Sequence, residues 1–445
     1  MADFIAKTKK GILLAGDILA LFLALYLTLI IRYGYPLGNI WDKHFVPFSV
    51  VFACWLVIFF ISDFYNLRGS YNSYNLANTI SQLMLINIVV AVIIFYFFSP
   101  FINPEIKPQT ILIIDAIIYS ALLFGWRKIF YTFIKSSRIT NRVLILGDSP
   151  LNQILSDEIK SRPQLGYHLT IETETPENLK QYCLDKKINI LISSHNLKFD
   201  TGTAQKIFDC LSLGIDVYNI NTFFEKITNQ IPVEYIDNSW FLENLSEHSK
   251  KFYEIARRLI DVVLSIIGLF AAIFLTPFIA LIIKLESPGP VIFRQIRTGK
   301  NGKDFLAMKF RSMVQDAEKN GAQWAVKNDA RITKFGKFMR KTRLDEIPQL
   351  LNILRGEMSF VGPRPERPEF VKTLSEKIPF YRERLLVKPG LTGWAQLLGP
   401  AYGGSEAESL EKVKYDLYYI KNRSILLDIS IILKTIKLVF TRRGQ

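Results

Sequence analysis

Two adjacent carboxylates, Asp345 and Glu346, stand inside the basic run Arg340-Lys-Thr-Arg-Leu-Asp-Glu-Ile-Pro-Gln-Leu350. Proline is favoured at the first position of a helix, so Pro348 predicts that a helix begins there and continues through Leu354. The carboxylates would then lie at the N-terminal end of that helix, where unpaired N–H groups favour anions. An aspartate there can act as a nucleophile, and a glutamate can bind a hard cation such as Mg²⁺. The alternative is the acidic first turn of a surface helix.

A predicted hairpin places two further basic residues on one strand face. Asn301-Gly302 is the strongest short hairpin signal, and strand-like stretches at 291–297 and 303–310 flank it. Lys309 and Arg311 in the second strand point to the same face, because side chains alternate along a strand. This spacing can form a clamp for a phosphate group, although solvated basic residues on an edge strand have the same pattern.

A third basic position, Arg364, lies between Pro363 and Pro365. The fixed backbone torsions of the prolines hold the guanidinium at little entropic cost, which suits bidentate binding of a phosphate. A stiff corner that faces solvent is the alternative.

Charge and composition restrict the class of protein. Of the 445 residues 49% are hydrophobic and 13% aromatic, which indicates membrane segments. The net charge of +15 lies wholly in residues 250–445, which hold 35 Lys and Arg against 19 Asp and Glu. No nucleic-acid-binding motif is visible, so the basic excess favours anionic lipid and phosphorylated substrates. The three cysteines have no metal or redox spacing, which fits a reducing cytoplasm.

The first 126 residues predict a transmembrane bundle. Four apolar runs approach the length that spans a bilayer: Ile12–Ile31, Val46–Ile61, Ile80–Phe98 and Ile111–Trp126. Basic residues precede the first run and follow the fourth, so both flanks are predicted to be cytoplasmic. Asp17 and Asp115 lie within these runs and indicate either a proton or ion pathway, or else contacts between helices or a position at the membrane interface.

From residue 141 the pattern changes to alternating strands and helices. Strands are predicted at 142–148, 188–193 and 215–218, with helices at 151–160 and 203–213. This alternation indicates a Rossmann-like parallel sheet. The dinucleotide motif Gly-x-Gly-x-x-Gly keeps only its first glycine, Gly147, so a scaffolding or dimerising module is favoured over a cofactor site.

A fifth apolar run, Leu259–Ile283, contains the pair Thr276-Pro277. It is long enough to cross a membrane, yet an interior proline removes a helix hydrogen bond and produces a kink. A helix that enters one leaflet, bends at Pro277 and returns would keep the basic domain on the cytoplasmic side. A crossing helix would place that domain outside, and the residues alone leave both topologies open.

Residues 252–440 resemble the bacterial sugar transferase family, the monotopic phosphoglycosyl transferases. The resemblance rests on ten motifs in order: Arg258-Leu-Ile-Asp261, Ser287-Pro-Gly-Pro290, Phe293-Arg-Gln295, Lys309-Phe-Arg-Ser-Met313, Asn328-Asp-Ala-Arg-Ile-Thr333, Arg340–Leu351, Gly356-Glu-Met-Ser359, Val361-Gly-Pro-Arg-Pro-Glu366, Lys388-Pro-Gly390 and Tyr415-Asp-Leu-Tyr-Tyr419. The whole layout is similar to that of the long members, which transfer a hexose-1-phosphate to a polyprenyl phosphate at the start of capsule, exopolysaccharide or O-antigen assembly.

The resemblance implies a role for each matching residue. Asp345 matches the nucleophile that attacks the β-phosphate of a UDP-sugar, so that UMP leaves and a sugar-phosphoryl-aspartate remains. Glu346 matches the neighbouring glutamate associated with Mg²⁺. Lys309, Arg340 and Arg364 match basic positions around the substrate phosphates.

Two positions depart from the family pattern. Thr276-Pro277 stands where the family usually has Ser-Pro in its re-entrant helix, and either hydroxyl can bond a backbone carbonyl at a kink. Arg343 stands where serine or threonine is commoner, and it adds positive charge near the nucleophile.

These observations predict a multi-pass protein of the bacterial inner membrane with its catalytic domain on the cytoplasmic face. We expect four transmembrane helices in residues 1–130, a Rossmann-like α/β module and linker in 131–250, and an α+β catalytic domain in 251–445. The re-entrant helix is expected at about 255–284. The expected partners are a UDP-sugar, undecaprenyl phosphate, membrane lipid and a second copy in a homodimer, without nucleic acid.

Two other functions remain open at this point. Four spans and a Rossmann-like module also occur in membrane-bound nucleotide-sugar dehydratases that hold NAD, although the incomplete glycine motif argues against that function. The second is a catalytically silent scaffold of a polysaccharide assembly complex, against which the intact Asp345-Glu346 pair argues.

Overall fold

A computed structural model describes residues 2–62, 64–65, 73–102, 108–136, 141–162, 165–194, 201–245, 250–315, 317, 329–400 and 405–440. The contacts within the chain divide it into two compact units, residues 1–223 and residues 224–445. The first unit contains the four N-terminal apolar helices and a parallel sheet, and the second contains the basic region and a further apolar helix.

Four long helices open the first unit, as the apolar runs predict. They are α1 (Ala2–Tyr33), α2 (Asn39–Ile61), α3 (Ser73–Ile102) and α4 (Pro108–Ser136). Each contains a stretch long and apolar enough to cross a bilayer, and a fifth such stretch lies in the second unit, in the part of the chain that the structure describes. These helices identify a membrane protein.

Asp17 of α1 is paired inside the bundle. Its carboxylate accepts a hydrogen bond of 2.5 Å from the Arg127 guanidinium of α4, and both side chains are fully buried. Burial of a charge is tolerated when the charge is paired, so this ion pair joins the first and fourth helices. Contact between helices is therefore observed for Asp17, while Asp115 is buried in α4 without a hydrogen-bond partner in the described chain.

A parallel four-stranded sheet follows the bundle in the first unit. In chain order its elements are β1 (Asn141–Leu146), α5 (Pro150–Ser161), β2 (Tyr167–Glu172), α6 (Leu179–Asp185), β3 (Ile190–Ser193), α7 (Thr201–Cys210) and β4 (Asp216–Asn219). The strand order is β2-β1-β3-β4, and every pairing is parallel. The Rossmann-like alternation is thus confirmed. The sequence did not predict β2 or α6, because β2 alternates polar and apolar residues as an edge strand does.

The loop after β1 shows why the incomplete glycine motif matters. The Asn152 side-chain amide donates a hydrogen bond of 2.9 Å to the carbonyl of Gly147 and accepts one from the Ser194 hydroxyl. Asn152 stands where the dinucleotide motif has its third glycine, so a side chain tied to the loop replaces an open backbone approach.

The second unit is an α+β domain. It contains α8 (Ile220–Thr228) from residue 224 onward, α9 (Asn238–Asn244), α10 (Lys251–Glu286), β5 (Ile292–Thr298), β6 (Asp304–Phe310), α11 (Lys334–Thr342), α12 (Gln349–Arg355), β7 (Ser359–Val361), α13 (Pro368–Lys377), β8 (Gly390–Thr392), α14 (Trp394–Leu398), α15 (Glu406–Asn422) and α16 (Ile425–Phe440). Strands β5 and β6 form the antiparallel hairpin that Asn301-Gly302 predicts, and β7 pairs with β8 in parallel.

Residues 224–245, here called the strap, pack within this second unit. Ile231 and Val233 are buried in the same hydrophobic core as Trp394 of α14. Glu225 accepts hydrogen bonds of 2.6 Å from Lys421 and 2.7 Å from Asn422. The second compact unit therefore begins at residue 224 and includes the strap together with residues 251–445, because tertiary packing adds a segment whose short apolar stretches resemble a linker.

Helix α10 carries the fifth apolar run and is continuous through Pro277. Its buried residues share one face along the whole helix: Tyr253, Arg257, Asp261, Ser265, Ala272, Ile279 and Ile283. The opposite face exposes large apolar side chains such as Leu259, Phe270 and Phe278. The Thr276 hydroxyl donates a hydrogen bond of 2.7 Å to the Ala272 carbonyl, one turn earlier.

Candidate active site

The two adjacent carboxylates lie in a tight turn between two helices. Helix α11 ends at Thr342, the next residue, Arg343, has a φ of 56° in the left-handed region, and residues 344–346 form a single 3₁₀ turn. Helix α12 then begins at Gln349, next to Pro348, which confirms the predicted helix start. This change of direction carries Asp345 and Glu346 into the interior, where they are 6% and 5% exposed.

Glu346 is surrounded by three cationic side chains. Its Oε1 accepts hydrogen bonds of 2.9 Å from Lys309 and 2.9 Å from Arg364, and its Oε2 lies 3.3 Å from Arg343. Burial on its own would raise the pKa of Glu346, but Lys309, Arg364 and Arg343 together hold that pKa well below its ordinary value. Glu346 is therefore a fixed anion at neutral pH.

Asp345 has a different environment from its neighbour. Its carboxylate is nearly as buried, yet it makes no hydrogen bond or ion pair with any residue that the structure describes. Burial raises the pKa of Asp345, and the charge of Glu346 adds to the increase, while Lys309, Arg340 and Arg364 oppose it. An unpartnered carboxylate among cations is chemically available for attack on an anionic group.

Lys309 reaches Glu346 because α12 is fastened to strand β6. The Asn352 side chain of α12 accepts a hydrogen bond of 3.1 Å from the Met308 N–H and donates one of 2.8 Å to the Leu306 carbonyl. Asn352 is fully buried, and its side-chain amide pairs with the backbone of β6 as a neighbouring strand would. Sequence reasoning did not single out Asn352; its signal is a polar residue on the apolar face of a short helix.

Arg340 lies on the last turn of α11, beside Asp345. Its Nε donates a hydrogen bond of 2.8 Å to the Ser312 hydroxyl. Burial lowers the pKa of Arg340, while the Asp345 carboxylate raises it. The structure thus brings Arg340 together with Lys309, Arg364 and the carboxylate pair.

Arg311 is not part of this group. Its guanidinium donates hydrogen bonds of 2.7 Å to the carbonyls of Ser287 and Pro288, just beyond the end of α10. The alternation that would place it beside Lys309 ends with β6 at Phe310, so Arg311 turns toward the helix end. Thr276 and Pro277 lie within α10, where the Thr276 hydroxyl donates a hydrogen bond to the Ala272 carbonyl of the same helix.

Arg343 is a member of the site that the sequence marked only as a departure from a pattern. Its side chain contributes the third cation around Glu346, and its left-handed backbone ends α11. A non-glycine residue with positive φ is uncommon, and such strain occurs often at functional sites.

Comparisons with known proteins agree with this geometry. Residues 252–442 match the family model described as bacterial sugar transferase. The UDP-N-acetylgalactosamine-undecaprenyl-phosphate N-acetylgalactosaminephosphotransferase of Aeromonas hydrophila is 40% identical over 237 residues, which are 53% of this chain and 55% of that protein. The chain thus spans about half the length of that relative.

In two further relatives the similarity spans different shares of this chain. The UDP-glucose:undecaprenyl-phosphate glucose-1-phosphate transferase of Klebsiella pneumoniae is 29% identical over 450 residues, or 95% of this chain and 93% of that protein. The exopolysaccharide production protein PSS of Rhizobium leguminosarum bv. phaseoli is 42% identical over 195 residues, or 42% of this chain and 96% of that protein. The chain belongs to the bacterial sugar transferase family.

Proposed function

We propose that this protein transfers a sugar-1-phosphate from a UDP-sugar to polyprenyl phosphate and releases UMP. The observation that carries the proposal is that the two neighbouring carboxylates, Asp345 and Glu346, have different surroundings. Three cations fix Glu346 as an anion, whereas Asp345 is buried among cations and has no partner in the described chain. Such an aspartate suits covalent catalysis.

The reaction proceeds in two displacements at one aspartate. An Asp345 carboxylate oxygen bonds to the β-phosphorus of the UDP-sugar, and the bond from that phosphorus to the UMP oxygen breaks. A phosphate oxygen of the polyprenyl phosphate then bonds to the same phosphorus, and Asp345 leaves as a carboxylate. Lys309, Arg340 and Arg364 stabilise the phosphate charges, which supplies much of the rate enhancement in phosphoryl transfer.

The carboxylate pair also fits a bound Mg²⁺. Mg²⁺ is usually held by one or two carboxylates together with substrate phosphates, and Asp345 and Glu346 stand next to each other in one turn. The Asp345 carboxylate has no hydrogen-bond partner in the described chain, and Glu346 Oε2 has only one cation near it. These oxygen atoms are therefore available as ligands for Mg²⁺. When bound, Mg²⁺ would neutralise phosphate charge beside the cations that this chain already supplies.

We infer further that α10 enters and leaves the membrane on one face. Ile231 and Val233, which precede α10, share one hydrophobic core with Val361 and Trp394, which follow it. A helix that crossed a bilayer would separate these residues by about 30 Å of hydrocarbon. Both substrates can meet at such an interface, since one is dissolved in water and the other is anchored in lipid.

The names of the relatives favour a role at the first membrane-bound step of a polysaccharide pathway. One relative is named for exopolysaccharide production, and the others are named for transfer to undecaprenyl phosphate. Their names include N-acetylgalactosamine and glucose as the sugar, so the test requires a panel of UDP-sugars. We propose initiation of capsule, exopolysaccharide or O-antigen repeat units as the biological role.

The test is UMP release by the purified protein with polyprenyl phosphate, Mg²⁺ and a panel of UDP-sugars. We expect one sugar to be preferred, ping-pong kinetics, and loss of turnover and of the covalent sugar-phosphoryl adduct in Asp345→Asn. The asparagine is isosteric, so circular dichroism and thermal unfolding should match wild type. Substantial turnover in a clean Asp345→Asn preparation would exclude the aspartyl intermediate, and no UMP from any sugar would favour a scaffold.

A further inference from the structure

We propose that Arg384, held by Asp416, is a positioning residue that sets the place of Arg364 relative to the carboxylate pair. This inference rests on the function proposed above, because it assigns a task within the same site. Neither Arg384 nor Asp416 touches Asp345 or Glu346 directly in the described contacts, so any effect on the reaction passes through Arg364.

The backbone that carries Arg364 is held at four consecutive carbonyl groups, beginning with Pro363, whose carbonyl accepts a hydrogen bond of 2.9 Å from the Gly390 N–H. The carbonyl of Arg364 accepts a hydrogen bond of 3.2 Å from Arg384, and that of Pro365 accepts one of 3.1 Å from Arg297. The carbonyl of Glu366 accepts one of 2.9 Å from the Thr298 N–H. A loop held at successive carbonyls presents its side chain from a defined place.

Arg384 itself is held on its other sides. Its Nε and Nη2 donate hydrogen bonds of 3.1 and 2.7 Å to one oxygen of Asp416, and its Nη1 donates one of 2.7 Å to the Tyr381 hydroxyl. Arg384 is 6% exposed and Asp416 1% exposed, so each charge depends on the other. The guanidinium therefore spans from helix α15 to the Arg364 loop as a rigid link.

The prolines on either side of Arg364 increase the influence of the Arg384 hydrogen bond on the position of Arg364. Pro363 and Pro365 restrict the backbone torsions on either side of Arg364, so the loop moves as a body and not by local rotation. A small cavity bordered by Pro363, Pro365 and Arg384 lies beside the loop. The hydrogen bond from Arg384 holds the Arg364 carbonyl, and the guanidinium of the same residue lies 2.9 Å from Glu346.

The experiment compares Arg384→Lys with wild type in the full-length protein. Lysine keeps a positive charge for Asp416, but a single ammonium cannot also reach the Tyr381 hydroxyl and the Arg364 carbonyl as the planar fork does. Misplacement of Arg364 should lower kcat/KM for the UDP-sugar about tenfold to a hundredfold. We expect the affinity for UDP, measured by calorimetry, to fall in parallel.

Lys421→Met is the matched control for a purely structural effect. Lys421 belongs to another ion pair of the same unit, with Glu225, and does not contact the Arg364 loop in the described residues. It should lower thermal stability at least as much as Arg384→Lys while kcat/KM stays near wild type. Equal losses of kcat/KM in both variants would overturn the positioning role.

A double-variant cycle with Arg364→Lys gives the second decisive measurement. If Arg384 acts through Arg364, adding Arg384→Lys to Arg364→Lys should cause little further loss. Additive losses would overturn the inference. If wild type releases no UMP, the proposed function fails, while calorimetry with UDP still tests whether Arg384 positions Arg364 for a diphosphate.

Discussion

Asp345 and Glu346 are chain neighbours with similar burial, and yet the pKa of one is raised and that of the other is lowered. The difference comes from where the cations direct their N–H groups. Lys309, Arg343 and Arg364 all donate toward Glu346, and Asp345 receives only the longer-range effect of positive charge. Glu346 therefore holds the cations in place, and Asp345 keeps a carboxylate without a hydrogen-bond partner among the described residues, as the proposed mechanism requires.

The pH dependence of the reaction should report the ionisation of Asp345. Asp345 must be ionised to attack, so kcat/KM should rise with pH through its raised pKa. Arg340 lowers that pKa, and Arg340→Gln should therefore move the acidic limb of the profile to higher pH. The measurement is the pH profile of UMP release for both proteins. An acidic limb that stays in place or moves to lower pH would contradict this assignment.

At the scale of elements, two short strands hold the loop that carries Arg364. Strands β7 and β8 are three residues long each, and Gly390 of β8 approaches the backbone of Gly362. The Gly390 N–H donates a hydrogen bond of 2.9 Å to the Pro363 carbonyl, directly before Arg364. Close backbone contact at this glycine thus connects the Lys388-Pro-Gly390 motif to the Arg364 loop.

Gly390→Ala should disrupt this connection. An added Cβ would overlap the backbone N of Gly362 and the carbonyl O of Thr392, neither of which can move as a side chain does. We expect a loss of about 3 kcal/mol in the free energy of unfolding, together with a large loss of UMP release. Gly125→Ala in α4, where an added Cβ meets nothing within 4 Å, is the control and should stay near wild type. A fully stable Gly390→Ala protein would refute the close approach.

At the scale of the molecule, α10 is attached to the rest of the second unit at both of its ends. Arg258 near its start donates hydrogen bonds of 2.6 Å to the carbonyls of Ile353 and Leu354 at the end of α12. At the other end, Ile279 and Ile283 pack against Phe310 and Met339. Its exposed face is apolar along the same length, which suits contact with lipid.

This arrangement makes a topological prediction. In a variant without the three native cysteines, single cysteines at Lys251 and Lys284 should both react with an impermeant reagent from the cytoplasmic side only. Tyr35→Cys, in the connection between α1 and α2, should react from the outside and serves as the control. Reaction of Lys251→Cys and Lys284→Cys from opposite sides would show that α10 crosses the bilayer.

Much of the fold follows from local patterns. Apolar runs predict the four N-terminal helices, continuous apolar stretches predict β1 and β3, and Asn301-Gly302 predicts the β5–β6 hairpin. These succeed because length, periodicity and turn chemistry act over neighbouring residues. The candidates Asp345, Glu346, Lys309, Arg340 and Arg364 were found in the same way, from charged residues beside prolines and turns, and from a family resemblance.

Other features depend on which distant residues meet. Arg311 carries the same charge as Lys309 two positions away, but it binds carbonyls just beyond α10 and not the site. The strap reads as a linker, but Glu225 meets Lys421 across nearly 200 residues of sequence. Side chains from three separate segments likewise decide that the cations pair with Glu346 and not with Asp345. Such contacts have no local signal, because their energy exists only once the chain has brought the partners together.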